Sequence, residues 1–160
     1  MDAVARRREA IRLLSSQSWF ALAVVDLHGL PTVSYIPFAV VGGIFGIVVS
    51  RLAAHSAPLL ARRPTSVLLV DTETEPRDAY TRARFSIDVS VSPVAANSPS
   101  AGAIWSALER RQGDTVQTLR ALPDFDAISL EPTGGRLILG FASAHDLSGP
   151  AIVELMNNAN

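Results

Sequence analysis

The sequence contains no cysteine among its 160 residues. This absence excludes disulfides, thiolate metal sites and cysteine nucleophiles, and it is typical of proteins from a reducing compartment. The sequence also lacks a P-loop, a G-x-S-x-G nucleophile motif and the spacing of a zinc site. These absences exclude several common enzyme classes, and no catalytic residue is evident in the sequence.

Charge is scarce and balanced. Only 18% of the residues are charged and the net charge is −1, which excludes a strongly basic nucleic-acid-binding surface. The 48% hydrophobic content is high for a monomer and predicts a large interface between two copies of the chain.

The most apolar stretch, 38–49, is much shorter than the roughly 20 residues of a membrane-spanning helix. No secretory signal is evident. We therefore expect one cytoplasmic domain over 1–160, forming a homodimer without a membrane partner.

The most informative stretch is 30–60, LPTVSYIPFAVVGGIFGIVVSRLAAHSAPLL. Two runs rich in β-branched residues, 32–41 and 44–49, flank Gly42 and Gly43. Paired glycines supply the positive φ angles that tight hairpin turns require, so the pattern predicts a β-hairpin. The second run leads into a helical pattern over 51–62.

The remaining pattern predicts a mainly β protein with short helices. Apolar and polar residues alternate over 82–94, which indicates a half-buried antiparallel strand. We expect a first helix near residues 1–15 and a polar C-terminal tail over 146–160 that frays. Further helices are expected at 103–112 and 115–122, and further strands at 19–26, 66–70, 126–131 and 137–142, the last two joined by a turn at 132–135.

A candidate anion site lies where the second hairpin strand meets the helical pattern. Ser50 and Arg51 end the strand, and His55 and Ser56 follow about one helical turn later. A hydroxyl, a guanidinium and a helix N-terminus together suit a phosphate or carboxylate. The alternative is a capping serine with a surface arginine and a surface histidine.

Arg82 and Arg84 are two residues apart on a predicted strand, so both project from the same face. Such a pair could bind an acidic group of a ligand, or could instead form salt bridges with Asp88 on that face. Tyr35 and Ser34 precede the double-glycine turn and could line the same pocket. Packing in the core or the subunit interface is the alternative for Tyr35.

Three stretches together resemble one superfamily: GLPTVSYIPFAVVGGIFGIVVSRLAAHSAPLLARRPTSVLLVD (29–71), RARFSIDVSVSPV (82–94) and GRLILGFASAHDLSG (135–149). The chain resembles the FMN-binding split barrels related to pyridoxamine-5′-phosphate oxidase. Within this superfamily it most resembles the heme-iron utilisation branch. The resemblance implies a six-stranded antiparallel split barrel that dimerises, with ligands at the subunit boundary. It further implies that the FMN phosphate would contact Ser50, Arg51, His55 and Ser56, together with Arg82 and Arg84.

The resemblance leaves three functions open. The chain could be a flavin-dependent oxidoreductase that binds FMN, a heme-binding or heme-degrading protein that uses the same cleft, or a barrel that has lost its cofactor. The basic, Trp-containing C-terminal segment of pyridoxamine oxidases is missing, since Arg136 is the only arginine after Arg120. In heme-degrading relatives an axial histidine comes from a C-terminal loop. His145, followed by Asp146, is the candidate for that iron ligand, and a surface turn is its alternative.

Overall fold

The computed structural model describes residues 2–72 and 78–159. Within those ranges the chain forms one curled antiparallel sheet with short helices around it. The strands are β1 (Trp19–Val25), β2 (Pro31–Pro37), β3 (Ala39–Val41), β4 (Ile44–Ser50), β5 (Thr65–Val70), β6 (Arg84–Pro93), β7 (Phe125–Gly140) and β8 (Ser143–Ser148). The helices are α1 (Ala3–Ser16), α2 (Ser56–Leu60), α3 (Pro99–Gln112), α4 (Thr115–Arg120) and α5 (Gly149–Asn157).

The order of the strands shows how the sheet curls. Neighbouring strands follow the order β2-β1-β5-β6-β7-β4-β3, and β8 pairs with the outer part of β7. β2 and β3 stand at opposite ends of this order, yet only Phe38 separates them along the chain. The two ends of the sheet must therefore meet at Phe38, which curls the sheet into a barrel. If β2 and β3 are taken as one interrupted run, six described strands form the barrel, and the predicted mainly β split barrel is confirmed.

The predicted hairpin at the double glycine is confirmed. Gly42 and Gly43 have φ angles of 55° and 82°, the signs of a type I′ turn, and Val41 pairs with Ile44 across it. A Cβ atom at Gly43 would lie 2.7 Å from a methyl carbon of Val153 in α5. Glycine is therefore required at this position both by the turn and by the helix that packs on it.

The barrel interior is closed by aromatic side chains at the point where β2 gives way to β3. The Phe38 ring stacks on Phe20 at 4.7 Å between centroids and meets Phe45 edge-on at 5.4 Å. All three side chains are fully buried. This burial explains why the run 32–41, predicted as one strand, is interrupted: Phe38 turns into the core and its N–H bonds to the carbonyl of Ser18.

The helix predicted over 51–62 is wrong in extent, because only Ser56–Leu60 is helical. Residues 51–55 form turns in which the N–H of Ala53 bonds to the carbonyl of Ser50, and that of Ser56 bonds to Ala53. Pro58 is tolerated because it lies in the first turn, where its missing N–H would have no helical partner.

The turn predicted at 132–135 is also wrong, because β7 continues through it. β6 pairs with β7 from Arg84 to Pro93, with a register shift between Asp88 and Val89. A Cβ atom at Gly135 would lie 2.6 Å from the carbonyl oxygen of Ser86. Gly135 therefore permits close contact between two strands, a role that a sequence pattern does not distinguish from a turn.

The frayed tail predicted over 146–160 is likewise wrong. Residues up to Ser148 complete β8, and α5 follows with Ser148 as its N-cap, accepting a hydrogen bond from the N–H of Ala151. Ile152, Leu155 and Met156 are buried in the main core. Their spacing of three and one residues places them on one face of α5, and this apolar face holds the helix on β7.

No helix in the described ranges is long and apolar enough to cross a membrane.

The arginine-rich α1 is fixed to the barrel at its C-terminus. The Arg111 guanidinium of α3 donates hydrogen bonds to the carbonyls of Leu14, Ser15 and Gln17 and lies 4.9 Å from the centre of the Phe38 ring. It thereby satisfies carbonyls that the helix end leaves without partners.

Candidate functional site

A cleft of about 500 Å³ opens between the barrel and the helix pair α3 and α4. We call it the His55 cleft. It is lined by Tyr35, Ile36, Pro37, Val48, Val49, Ser50, Ala53, His55, Leu108, Gln112, Thr115, Val116, Leu119 and Phe125. Most of these side chains are apolar, so the cleft suits a flat apolar ligand with few polar groups.

His55 is the chemically distinctive residue of this cleft. It is half-buried at the start of α2, and its Nδ1 lies 2.9 Å from the hydroxyl oxygen of Ser34. Burial lowers the pKa of His55 below the ordinary histidine value of 6.5, which favours the neutral ring at pH 7. Within the described residues, Nε2 has no hydrogen-bond partner. A neutral imidazole oriented through one nitrogen, with the other available, is the arrangement of a metal-ligating histidine.

An aromatic pair stands at the rim of the cleft. Tyr35 stacks on Trp19 with their ring centroids 4.4 Å apart and an interplanar angle of 28°. Tyr35 is 63% exposed, so one face of the pair is open to a ligand or a partner. The structure thus brings Tyr35, Ser50 and His55, three of the predicted site residues, to one cleft.

The rest of the predicted anion cluster is occupied by groups of the chain itself. The Arg51 guanidinium donates two hydrogen bonds of 2.8 Å to the carboxylate of Asp126 and does not line the cleft. The Ser50 hydroxyl donates to Asp124 at 3.0 Å, and the Ser56 hydroxyl donates to the carbonyl of Ser50. An incoming phosphate would therefore have to compete with two carboxylates.

The ion pair between Arg51 and Asp126 also sets the charge state of the carboxylate. The two hydrogen bonds from Arg51 hold the pKa of Asp126 below its usual value of 3.8, so Asp126 is ionised at neutral pH. Arg51 is 59% exposed in this pair, and solvent therefore screens the attraction.

Arg82 and Arg84 lie outside the His55 cleft. Arg82 donates to the backbone carbonyl of Asp71 at 3.1 Å, and Arg84 donates to that of Arg82 at 2.9 Å. The predicted alternative, a salt bridge to Asp88, does not occur in the described residues, where the Asp88 carboxylate accepts from the Ser66 hydroxyl at 2.6 Å. Both arginines hold backbone in place near the start of β6.

His145 lies in a second cleft, of about 580 Å³, between α1, β8 and α5. We call it the Arg6 cleft. It is lined by Ala3, Arg6, Arg7, Ala10, Leu137, Ala144, His145, Asp146, Leu147, Ala151, Glu154 and Leu155. It shares no lining residue with the His55 cleft.

Both ring nitrogens of His145 have partners. Nδ1 lies 3.2 Å from a guanidinium nitrogen of Arg6, and Nε2 lies 3.1 Å from the hydroxyl of Ser143. Arginine only donates, so Nδ1 accepts and the proton of the neutral ring lies on Nε2. Asp146 does not orient the ring, because it points to the other face of β8 and pairs with Arg136 at 2.7 Å. An iron bound to His145 would have to displace one of these bonds.

The sequence pattern missed two parts of the site. Asp124 and Asp126 flank Phe125 at the start of β7, and nothing in their spacing relates them to Ser50 and Arg51, which lie on another strand. The wall formed by α4 was also missed, although Val116 and Leu119 have helical spacing. In the parts of the chain that the structure describes, no group of three or more potential ligands could hold a metal ion by itself.

Comparison with known proteins gives sequence and structural relatives. No family model matches the chain. The heme oxygenase HutZ from Vibrio cholerae serotype O1 is 29% identical over 136 residues, covering 85% of this chain and 77% of HutZ. The crystal structure of HutZ, described as the heme storage protein from Vibrio cholerae, has a TM-score of 0.76 and 27% identity, over 83% of this chain and 93% of that one.

Two further structures share the fold. A heme binding protein from Mycobacterium smegmatis has a TM-score of 0.83 and 20% identity over 93% of this chain, which spans only 60% of that protein. A pyridoxinephosphate oxidase family protein from Clostridium acetobutylicum, related to general stress protein 26, has a TM-score of 0.66 and 11% identity, over 95% of this chain and 99% of that one. At these identities the likeness establishes the fold alone.

Proposed function

Because the chain belongs to the split barrels related to pyridoxamine-5′-phosphate oxidase, in their heme-iron utilisation branch, we propose that it binds heme in the His55 cleft. The observation that carries the proposal is His55 itself. Its ring is half-buried beside apolar walls, its neutral form is favoured, and Ser34 holds one nitrogen so that the other can reach a ligand. When bound, heme would supply iron-based redox chemistry, which the side chains of the cleft cannot provide.

The residues present fit heme in two respects. The volume of about 500 Å³ lies within the usual range of small-molecule sites, and the aliphatic and aromatic walls suit a porphyrin ring. The nearby Arg51 is exposed enough to exchange part of its ion pair with Asp126 for a heme propionate.

FMN, the other cofactor expected from the sequence, has weaker support. Its phosphate would need several free donors, but Ser50, Arg51 and Ser56 all donate to groups of the chain, two of them to carboxylates. α2 has only five residues and presents a correspondingly short set of backbone N–H groups. We therefore place heme before FMN, and before a barrel that binds neither.

We also propose that the protein is a homodimer. The outer face of β1 and β2 is not covered by any helix of the described chain, and Val33 and Tyr35 on it are 71% and 63% exposed. Ala21 pairs with Tyr35, and Ala23 pairs with Val33, so small side chains leave this face flat. Tyr35 also lines the His55 cleft, and a second copy seated on this face would help to enclose that cleft.

A hemin titration followed by absorbance tests the heme proposal. We expect saturable binding to the wild type and binding at least about 10-fold weaker in His55→Ala, because the candidate iron ligand is lost. His145→Ala is the matched control and should bind hemin like the wild type. Circular dichroism of each variant checks that it is folded, and FMN is titrated in parallel.

The other outcomes of this titration are equally informative. Loss of hemin binding in His145→Ala with normal binding in His55→Ala would move the iron to the Arg6 cleft. Saturable FMN binding without hemin binding would favour the flavin alternative. Absence of both in the wild type would contradict the proposed function and indicate a barrel without cofactor.

A further inference from the structure

We propose that the Arg6 cleft is a second ligand site, which binds a small organic acid through its carboxylate and encloses the aliphatic part of that acid. The inference does not depend on heme binding, because the two clefts have no lining residue in common. It rests on three features: an arginine that contacts no carboxylate in the described parts of the chain, a histidine that fixes this arginine, and apolar walls around it.

The first feature is the charge of Arg6. Arg7 pairs with Glu154 at 2.8 Å, and Asp146 pairs with Arg136 at 2.7 Å, so the two acidic residues of the cleft are each neutralised by another arginine. Within the described residues, Arg6 contacts no carboxylate, and its side-chain partner is Nδ1 of His145. A half-buried cation without a counter-ion is costly, and an anion in the cleft would relieve that cost.

The second feature is the position of the guanidinium. His145 accepts one hydrogen bond from Arg6 and is itself held by Ser143, so the ring fixes one end of the arginine fork. Arginine has five donors, and those not directed at His145 can bind a carboxylate through two parallel hydrogen bonds. The lone pair at Nδ1 of His145 is already occupied by Arg6, so this nitrogen offers no donor to an incoming anion. Arg6 is therefore the binding residue, and His145 is a positioning residue.

The third feature is the composition of the walls. Ala3, Ala10, Leu137 and Leu155 give the cleft an aliphatic surface beside Arg6. An inorganic anion would pair with Arg6 and leave the aliphatic surface exposed to water. An acid with a short alkyl chain would pair with Arg6 through its carboxylate and cover the aliphatic surface with its chain. Burial of each methylene group adds to the affinity, so the structure favours a medium-chain carboxylate over phosphate.

Isothermal titration with octanoate, below the concentration at which it aggregates, tests the proposal. We expect saturable binding to the wild type, and weaker binding of 1-octanol and of inorganic phosphate. Arg6→Met should weaken octanoate binding by roughly 10- to 100-fold, the range for loss of a charge-assisted hydrogen bond. Arg8→Met is the matched control, because Arg8 is exposed on the same helix and does not line the cleft.

A third variant supplies the missing counter-ion from the chain. Ala3→Glu places a carboxylate three residues before Arg6 on the same face of α1, and it should weaken octanoate binding several-fold without removing the arginine. Hemin binding should be unchanged in all three variants, so failure of one proposal leaves the other standing. No heat with wild-type octanoate, equal affinity in Arg6→Met and Arg8→Met, or equal binding of octanol would each overturn the proposal.

Discussion

The His55 cleft and the Arg6 cleft each contain a histidine, with an arginine in the lining of the second and next in sequence to the lining residue Ser50 in the first, and these side chains have different partners. In the His55 cleft, Arg51 binds the carboxylate of Asp126, and His55 forms a hydrogen bond with the hydroxyl of Ser34. In the second, Arg6 binds the histidine and contacts no carboxylate in the described part of the chain. The same two residue types thus give an available imidazole nitrogen in one cleft and an available cation in the other.

This difference shows that the partner of a side chain decides its chemistry. Arg51, predicted as an anion-binding residue, is neutralised by Asp126, which lies 75 positions away in the sequence. His145, predicted as the iron ligand, has both nitrogens engaged. Arg6, to which the sequence pattern gives no binding role, is the arginine of its cleft that contacts no carboxylate in the described residues. Variants that alter these pairings therefore test the comparison directly.

The largest effect is expected from Arg12→Met, which loosens the wall of the Arg6 cleft. Arg12 donates to both carboxylate oxygens of Asp71, at 3.2 and 2.9 Å, and the Asp71 side chain is only 4% exposed. Loss of these bonds to a buried charge should lower the free energy of unfolding by roughly 2–3 kcal/mol in urea denaturation.

Two controls accompany this variant. Arg8→Met changes an exposed arginine of the same helix and should stay within about 0.5 kcal/mol of the wild type. Replacing both members of the pair, Arg12→Met with Asp71→Leu, should recover part of the loss, because no buried charge is then left behind. A change below 0.5 kcal/mol in Arg12→Met would mean that the pair does not hold α1 on the barrel.

An intermediate effect is expected from Val33→Asp on the uncovered sheet face. A charge at the centre of a subunit interface should weaken dimerisation by at least about 10-fold, measured by sedimentation equilibrium. Hemin binding should weaken with it, because Tyr35 belongs both to this face and to the His55 cleft. Octanoate binding to the Arg6 cleft is the internal control and should not change. A wild type that sediments as a monomer would contradict the proposed dimer.

The smallest effect is expected from Asp126→Asn, which removes the counter-ion of Arg51. The freed guanidinium should bind phosphate groups better, and FMN affinity should rise roughly 2- to 5-fold at low salt, in keeping with the strength of exposed ion pairs. Fluorescence quenching of FMN measures the change, and added salt should reduce it. Asp146→Asn, which frees Arg136 beside the other cleft, is the control. Unchanged FMN affinity would show that the carboxylate of Asp126 is not what keeps phosphate away.

Patterns of short range predicted much of the barrel. The hairpin at Gly42 and Gly43 followed from the φ angles that only glycine adopts easily, and the alternation of β6 followed from the two faces of a strand. The double glycine at 134–135 could not be told from a turn, because close packing against Ser86 is a contact between distant strands. The apolar spacing of Ile152, Leu155 and Met156 is present in the sequence, but the polar residues that follow it favour the prediction of a frayed tail over that of a helix.

The candidate site was predictable only in part for the same reason. Ser50 and His55 lie close together in the sequence, so their meeting at one cleft was expected from local structure. Their partners come from elsewhere: Ser34 from β2, and Asp124 with Asp126 from the start of β7. A sequence contains the identities of these residues without the register that brings them within hydrogen-bond distance.

The sequence by itself determined the class of fold, the position of the hairpin turn at Gly42 and Gly43, and the residues able to bind anions or iron. It did so because φ preferences and apolar periodicity act between near neighbours. The tertiary structure alone decided which arginine is neutralised, which histidine keeps an available nitrogen and where the clefts lie. Electrostatic compensation and enclosure depend on distances across the barrel, and these exist only once the strands have paired.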